Sequence, residues 1–388
     1  MHQQRMRAVF MRGGTSKALM LRSTDLPADR SQWDPIFVAA MGSPDPNGRQ
    51  LDGMGGGLSS LSKVCVIGPP RYHGTDVDYT FAQVAVGSAA VDYSGNCGNM
   101  SSAVGPFAVD EGLVKVSGDR AAVRIYNTNT RKIIVARFAL EDGRAAVDGN
   151  FVLPGVAGSG APIRLDFLDP GGAATGCLLP TRNVCDQLAV PELGTVEVSL
   201  VDAANPCVFV AADTWGMSGT EMPDVLEQRP DLLAQIEAVR IAASLRMGIA
   251  RTHAEAARKA SIPKVAMVAA AQAATTLAGE SLAADAADLT VRMISMGQPH
   301  RAVPLTGAMC LAVAARLTGS VAHRLIGAVE PSQAPVRIAQ PSGVTMVDAT
   351  VRRDHGAWVA DQTTVYRTAR RLMEGVVYLR NPALAKSA

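Results

Sequence analysis

One cysteine of the chain has neighbours that favour chemistry: residues 95–99 read Gly-Asn-Cys-Gly-Asn and lead into small and apolar residues. That run predicts a helix beginning near Ser101, and a helix start offers free backbone N–H groups and a partial positive charge. A reactive cysteine requires such surroundings, and the same N–H groups can bind a carboxylate. We therefore expect Cys97 to be a functional thiol. The alternative is an inert small residue that fills a tight turn.

A lysine is the second candidate. Lys63 follows three glycines at 55–57 and the polar segment 58–62, and it stands at the mouth of an apolar strand. A lysine that enters an apolar site can act as a general base. The alternative is a solvated lysine at a strand end.

Three further segments carry groups that hold an anion. Residues 11–17, Met-Arg-Gly-Gly-Thr-Ser-Lys, offer backbone N–H groups, two hydroxyls and two cations. Residues 295–301 include His300, a candidate acid, base or carboxylate partner, and they precede an apolar helix that begins at Thr306. The turn 340–343 adds the Ser342 hydroxyl. The alternatives are ordinary polar turns and, for His300, a structural hydrogen bond.

The composition excludes several classes of protein. The chain has 388 residues, of which 48% are hydrophobic, 19% charged and 4% aromatic, and its formal net charge is +2. Balanced charge and few aromatic residues argue against nucleic-acid binding. No apolar stretch reaches the roughly 18 residues of a membrane span, and the first residues lack signal-peptide features. We expect a cytoplasmic protein with reduced cysteines and no metal site.

Strand patterns dominate the chain. Apolar spacings of three and four predict helices over 227–251 and 280–297. Runs of strands with few helices favour an α+β fold. The β-branched segments that predict strands are 63–67, 77–86, 122–126, 132–138, 196–202, 206–211, 265–270, 344–351, 358–365 and 375–379.

The two halves of the chain share a pattern. Residues 95–109 and 304–316 each contain a Gly-containing turn that leads into a helix of small, apolar residues. Such a helix belongs inside a sheet, because no face of it is polar enough for the surface. One buried helix per half predicts two similar domains. The alternative is chance similarity in a chain rich in Ala and Gly.

A set of ordered motifs resembles the PrpF family, and the motifs extend over nearly the whole chain. The family includes 2-methylaconitate cis-trans isomerase, methylitaconate Δ-isomerase and 4-oxalomesaconate tautomerase, and it is similar in fold to diaminopimelate epimerase. The motifs are MRGGTSK (11–17), MGSPD (41–45), QLDGMGG (50–56), SSLSK (59–63), DVDY (76–79), SGNCGN (94–99), SLRMG (244–248), ISMGQPH (294–300), QPSG (340–343) and ARRLMEG (369–375).

The resemblance implies an α+β fold of two similar domains, each a curled, mostly antiparallel sheet around a central helix, with the active site in the interdomain cleft. The first domain would be residues 1–182 with a C-terminal return at about 366–388, and the second would be residues 183–365. It also implies catalysis without a cofactor, a small polycarboxylate as the ligand, and a homo-oligomer, either a dimer or a tetramer.

For the site, the resemblance places the catalytic lysine at Lys63 and the catalytic cysteine at Cys97. One carboxylate-binding turn falls on Ser16 and its neighbours, and the N–H groups at the start of the first buried helix would hold a second carboxylate. The residues expected to bind substrate are Thr15, Ser16, Lys17, Ser62, Asn96, Gly98, Asn99, Met100, His300, Thr306, Gly307 and Ser342.

With these residues, the resemblance implies an isomerase that moves an allylic proton in an unsaturated di- or tricarboxylate such as 2-methylaconitate, aconitate or 4-oxalomesaconate. The double bond would migrate or change its geometry. Two other functions stay open: a two-thiol amino-acid epimerase or racemase, and a non-catalytic protein that binds small acids. The helix start near Thr306 offers no thiol, which favours the isomerase over the epimerase.

Overall fold

The computed structural model describes residues 4–93, 95–326 and 334–379 and shows a mixed α/β fold in which strands outnumber helices. The strands are β1 Gln4–Gly13, β2 Ser16–Arg22, β3 Lys63–Gly68, β4 Val77–Val84, β5 Val91–Asp92, β6 Arg120–Asn127, β7 Lys132–Glu141, β8 Arg144–Ala145, β9 Phe151–Val152, β10 Ser159–Gly160, β11 Ile163–Leu168, β12 Asp186–Val190, β13 Gly194–Ala203, β14 Asn205–Ala211, β15 Lys264–Ala270, β16 Ala274–Thr275, β17 Ser281–Leu282, β18 Leu289–Ser295, β19 Gln298–Pro299, β20 Val336–Gln340, β21 Gly343–Asp354, β22 Ala357–Arg367 and β23 Ala369–Leu379. The helices are α1 Trp33–Met41, α2 Gly98–Asp110, α3 Pro223–Glu227, α4 Pro230–Arg246, α5 His253–Arg258, α6 Leu305–Arg316 and α7 Val321–Ile326.

The chain divides into two compact units. Unit 1 comprises the residues up to Asp166 together with those from Tyr366 onward, and unit 2 comprises Phe167–Val365. From the sequence, we predict that the first domain ends at residue 182. Residues 380–388 of the predicted C-terminal return lie outside the described residues.

In unit 1 the strands pair in the order β23, β1, β2, β3, β4, β6, β7. The pairs β2–β3 and β4–β6 are parallel, and the others are antiparallel. Helix α2 packs against strands from both ends of this order, including β1 and β7. Each residue of α2 is buried except Asn99 and Asp110, which confirms that this helix is interior.

Small residues allow the sheet of unit 1 to approach α2 closely. A Cβ atom at Gly105 would lie 2.8 Å from Phe138 Cε1 and 2.9 Å from Ala136 Cβ. On the other face of the sheet, apolar residues of α1 such as Phe37 share a core with Val64 of β3. The sheet of unit 1 is therefore covered by a helix on each face.

Unit 2 shows the same sequence of pairings. Its strands follow the order β12, β13, β14, β15, β18, β20, β21, β22, in which β14–β15 and β18–β20 are parallel. Helix α6 is buried apart from Thr306 and Arg316, and it packs against β13, β14, β20 and β21. Apolar residues of α4, including Ile236, cover the opposite face. In unit 1 the buried helix α2 comes before β6, the second strand of the parallel pair β4–β6. In unit 2 the buried helix α6 comes before β20, the second strand of the parallel pair β18–β20.

The structure confirms the predicted strands, with small shifts at their ends except in β23, which begins at Ala369 instead of 375. It also confirms the helix over 227–251, whose longest part is α4 with Pro230 in its first turn. The helix predicted over 280–297 is wrong. That segment holds β17 and β18, and β18 is buried along its whole length. A fully buried strand shows no alternation of apolar and polar residues, so spacing alone does not distinguish it from a helix. No helix in the described part of the chain is long and apolar enough to span a membrane.

The close packing of α2 gives a stability prediction. Replacing Gly105 by Val inserts a branched side chain where Phe138 and Ala136 already lie in contact distance, and we expect a loss of about 1–3 kcal/mol. Gly375→Val is the matched control, because a Cβ atom at Gly375 meets open space in a strand. Urea unfolding of both variants measures the difference. Equal stability of the two variants would contradict the packing described here.

Candidate active site

Lys63 begins β3 and is largely buried, with 7% of its surface exposed. Its neighbours in the strand, Val64 and Val66, belong to the core under α1. Because side chains alternate along a strand, Lys63 and Cys65 lie on the other face, toward α2. The strand thus carries the lysine amine into the interior of unit 1.

The amine of Lys63 has two partners in β4. Gln83 pairs directly with Lys63 across the sheet, and the lysine Nζ donates to Gln83 Oε1 at 2.5 Å. Gln83 Nε2 donates to the backbone oxygens of Ser59 and Ser62, which fixes the amide with its oxygen toward the lysine. The amine also lies 5.2 Å from the centre of the Phe81 ring. An amide oxygen and an aromatic face both interact favourably with a cation.

Cys97 is the N-cap residue of α2 and has an extended backbone. Its Sγ lies 4.0 Å from Ser16 Oγ, and its carbonyl accepts the first helical bond, from the Ser101 N–H at 3.0 Å. The N–H groups of Gly98, Asn99 and Met100 precede that bond, so they have no acceptor within the helix. The thiol therefore stands beside a hydroxyl and a set of donors that suits an anion.

The Gly13–Gly14 turn between β1 and β2 lies against the first turn of α2. A Cβ atom at Gly13 would lie 2.8 Å from the Asn99 carbonyl oxygen, and one at Gly14 would lie 2.3 Å from Asn99 Oδ1. The Asn99 amide donates to Thr15 Oγ1 at 3.0 Å and accepts from Arg367 Nε at 3.2 Å. These contacts hold the turn and the helix start in register.

A buried pair completes the surroundings of the thiol. Cys65 Sγ lies 3.7 Å from the Tyr79 hydroxyl. Burial raises the pKa of both groups, nearby Cys97 raises each further, and the Lys63 charge acts in the opposite direction on Cys65. Because Lys63 and Cys65 lie on the face of β3 that turns toward α2, and Cys97 is the N-cap residue of α2, we group these three residues as one cluster. Cys65 and Tyr79 stay protonated near neutral pH, so neither serves there as a base.

Asn96 fixes the turn before α2. Its Oδ1 accepts from Asn127 Nδ2 at 2.9 Å and from Ser101 Oγ at 3.4 Å. Ser94, the first residue of the SGNCGN motif, lies outside the described residues.

Two residues that the sequence analysis assigned to substrate have other surroundings. Ser62 is fully buried, and its hydroxyl donates to the Val84 carbonyl and accepts from Gln50 Nε2. Lys17 places its amine over the Phe10 ring, 5.6 Å from the centre. Lys17 follows Ser16 in β2, and strand alternation turns neighbouring side chains to opposite faces. Ser62 precedes β3, and its own two hydrogen bonds hold its hydroxyl in the interior. We leave both out of the site.

The remaining predicted residues belong to unit 2. His300 Nε2 lies 2.6 Å from Ser295 Oγ, and burial, helped by the Lys264 charge, lowers its pKa to about 4. Thr306 and Gly307 lie in the first turn of α6. The Ser342 hydroxyl donates to the Arg301 carbonyl at 2.6 Å, so it already has a structural bond.

The cluster in unit 1 can exchange protons and stabilise a negative charge. Lys63 and Cys97 supply groups for acid–base transfer, and the start of α2 supplies donors for a carboxylate or an enolate oxygen. Within the ranges that the structure describes, no group of three or more His, Cys, Asp or Glu side chains is arranged to hold a metal ion.

Sequence reasoning missed two residues that position this cluster. Gln83 gave a signal that was not used: it is a polar side chain in the apolar strand β4. Arg367 gave none, because 268 residues separate it from Asn99, whose amide it contacts.

Comparison with known proteins gives a consistent set of likenesses. The profile of the family described as PrpF protein matches residues 3–380. The chain is 41% identical over 384 residues to the 3-methylitaconate isomerase of Eubacterium barkeri, covering 98% of this chain and 99% of that protein. It is 36% identical over 391 residues to the 2-methyl-aconitate isomerase of Shewanella oneidensis, covering 98% of each chain.

Solved structures show the same likeness. A crystal structure of methylitaconate-delta-isomerase aligns with a TM-score of 0.88 at 41% identity, covering 98% of this chain and 96% of that one. A hydroxyproline epimerase from Agrobacterium vitis aligns with a TM-score of 0.52 at 12% identity, covering 98% and 94%. The second likeness concerns the fold alone.

The lowered pKa of His300 can be tested by measuring how the stability of the protein depends on pH. Because its pKa in the folded protein is about 4 and its ordinary value is 6.5, the unfolded chain binds the extra proton first as the pH falls. The free energy of unfolding therefore has its full value above about pH 6.5 and decreases as the pH falls toward 4. At pH 5 it is lower by about 2 kcal/mol.

Unfolding by urea at pH 7.5 and pH 5 measures this loss. We expect His300→Gln to remove that part of the pH dependence, whereas His355→Gln, which replaces a side chain that is 98% exposed, leaves it unchanged. An identical pH dependence in wild type and His300→Gln would show that His300 is not held neutral.

Proposed function

The chain belongs to the PrpF family, and from that premise we propose that Lys63 and Cys97 are the proton-transferring groups of its active site. The chain is an isomerase of unsaturated carboxylates, as its relatives named methylitaconate, 2-methylaconitate and oxalomesaconate isomerases support. The observation that carries the proposal is the cluster in unit 1: a buried lysine and an N-cap cysteine beside free helix N–H groups.

The proposed reaction is a 1,3-shift of one proton. The Cys97 sulfur, as thiolate, takes a proton from the allylic carbon, and the electron pair of that C–H bond spreads over the allyl system and the adjacent carboxylate. A proton then adds two carbons away, and the double bond moves. The proton comes from the thiol, which regenerates the thiolate, or from the Lys63 ammonium, after which the thiol returns its proton to the amine. One C–H bond breaks and one forms, so the oxidation level does not change and the reaction needs no cofactor.

Electrostatics supplies the rest of the acceleration. The Lys63 ammonium, held by Gln83 and Phe81, faces the side of the sheet on which negative charge develops. The N–H groups of Gly98, Asn99 and Met100 would hold the carboxylate that shares this charge. Donors fixed in place before the reaction stabilise such a charge without reorganising, which is commonly the largest contribution to catalysis.

The substrate contacts are proposed from the same geometry. In unit 1 they are Thr15, Ser16 and Asn99, with Asn96 positioning the turn. In unit 2 we propose His300 and the first turn of α6, at Thr306 and Gly307, while the bonded hydroxyl of Ser342 makes it a positioning residue at most. We also propose the finer description of the fold, in which each unit is a curled sheet around its buried helix. The domain limits, the interdomain cleft and the homo-oligomer stay predictions.

The epimerase alternative is disfavoured by unit 2. A two-thiol mechanism requires a second cysteine at the start of α6, where the N-cap residue is Pro304. Cys310 is fully buried inside that helix, and its Sγ donates to the Val201 carbonyl at 3.3 Å. Burial raises its pKa well above the ordinary value. A buried neutral thiol does not replace the missing one.

Replacing the two proposed groups tests the function. We expect Lys63→Met and Cys97→Ser to lower kcat by a factor of about 10²–10⁴, because each removes one acid–base group. The measurement is the ultraviolet absorbance change with 2-methylaconitate, methylitaconate, aconitate and 4-oxalomesaconate as separate substrates. Lys115→Met and Cys177→Ser, which replace exposed residues, are the matched controls. Wild-type turnover by either site variant, with its fold intact, would refute the proposal.

Gln83 is proposed as a positioning residue. Gln83→Leu removes the acceptor that fixes the Lys63 amine, and we expect kcat to fall by roughly tenfold to a hundredfold with a smaller change in KM. Gln187→Leu, on an exposed position of β12, is the control. Gln83→Glu should recover part of the loss because it restores an acceptor oxygen. Equal kcat in Gln83→Leu and wild type would show that the amine needs no such support.

A further inference from the structure

A second lysine occupies in unit 2 the position that Lys63 has in unit 1. In unit 1, β2 pairs in parallel with β3, and Leu19 opposes Val64, which places Lys63 beside the third residue of β2. In unit 2, β14 pairs in parallel with β15, and Lys264 opposes Cys207, the third residue of β14. Each lysine is the first residue of its strand.

The two lysines also lie on the same side of their sheets. Val265 and Met267, the odd-numbered neighbours of Lys264, belong to the core under α4. Strand alternation therefore turns Lys264 toward α6, as it turns Lys63 toward α2. The Lys264 stem confirms this direction, since its Cδ would lie 3.9 Å from a Cβ atom at Gly307 in the first turn of α6.

The partners of the two amines differ. The Lys63 amine is held by Gln83 at 2.5 Å. The residue at the same place opposite Lys264 is Ser295, because Val265 pairs with Ile294, and the Ser295 hydroxyl bonds instead to His300 at 2.6 Å. Among the residues that the structure describes, the hydrogen bond of the Lys264 amine is a long one, to the Ser261 carbonyl at 3.5 Å.

The charge of Lys264 is poorly compensated within unit 2. Burial lowers its pKa, and no carboxylate forms an ion pair with it among residues 4–93, 95–326 and 334–379. The titratable groups that face it are the Cys207 thiol and the imidazole of His300, which is neutral near pH 7. A half-buried cation without a counter-charge is costly, and an anionic ligand removes that cost.

We propose that Lys264, together with His300, forms a carboxylate-binding site in unit 2. The ammonium supplies the charge, and the neutral imidazole supplies a directed hydrogen bond whose orientation Ser295 sets. That the carboxylate belongs to the substrate rests on the proposed function; that the site binds a carboxylate does not. The repeated fold thus provides a proton-transferring lysine in unit 1 and an anion-binding lysine in unit 2.

Binding of a carboxylate that cannot isomerise tests the site directly. Tricarballylate, a saturated tricarboxylate, is titrated calorimetrically into wild type, Lys264→Met, Lys264→Arg and the exposed control Lys259→Met. We expect Lys264→Met to weaken binding by about tenfold or more, and Lys264→Arg to retain most of the affinity, because a charged hydrogen bond is lost only in the first. No binding by wild type at 10 mM (roughly the weak limit of such sites), or equal affinity in Lys264→Met, overturns the proposal.

A second set of readouts separates binding from folding and from chemistry. Lys264→Met should keep or raise the melting temperature, since it removes a poorly solvated charge, and the pKa of His300 followed by NMR should rise toward its ordinary value. With an accepted substrate, KM should rise about tenfold or more while kcat changes little. A loss of kcat with unchanged KM would place Lys264 in the chemistry and overturn its assignment as a binding group.

The two proposals fail in different ways. If wild type turns over no unsaturated carboxylate but binds tricarballylate through Lys264, the proposed function is wrong and this site stands. If wild type is active and Lys264→Met has an unchanged KM and affinity, the site is wrong and the proposed function stands.

Discussion

The close approach of the Gly13–Gly14 turn to the first turn of α2 is the constraint on which the candidate site depends. Gly14 has φ +50° and leaves no room for a Cβ atom beside Asn99. Because the turn contains no side chains at these positions, Asn99 can reach Thr15, and the Cys97 thiol can stand beside Ser16. A larger residue in the turn would push the helix start away and separate the thiol from its neighbours.

The interior position of α2 also helps to assemble the candidate site. A helix at the surface would expose its first N–H groups to water, where they bind an anion weakly. The small residues along α2 let β1, β2, β3, β6 and β7 approach it, so the partly buried helix start and the buried Lys63 lie within the same unit of the sheet. Charges interact more strongly in such a partly buried place than in water, which strengthens the interactions of the lysine, the thiol and the helix N–H groups with a carboxylate.

Much of this arrangement was readable from the sequence, and the parts that were not have physical reasons. The buried helices and most strands follow from composition and local spacing, whereas local pattern makes Lys63 and Cys97 candidates only and the resemblance to the PrpF family supplies their proposed roles. The partners Gln83 and Arg367 depend on strand register and on contacts between distant segments, which spacing does not encode. The charge of Lys17 predicts an anion contact, but strand alternation turns its side chain away from the face of Ser16, and its amine lies over the Phe10 ring. The burial of Ser62 depends on Gln50 and Val84, which come from other segments of the chain. Lys264 carries the signal that identified Lys63, a lysine at the mouth of an apolar strand, but only the register shows that the two positions correspond.

The most direct test of the central claim is deuterium uptake from D₂O, followed by proton NMR during incubation with the accepted unsaturated carboxylate. The account predicts that wild type forms the isomer and places deuterium at the allylic carbon, and that Lys63→Met and Cys97→Ser do neither at a comparable rate. Undiminished uptake in either folded variant would contradict the assignment of Lys63 and Cys97 as the groups that move the proton.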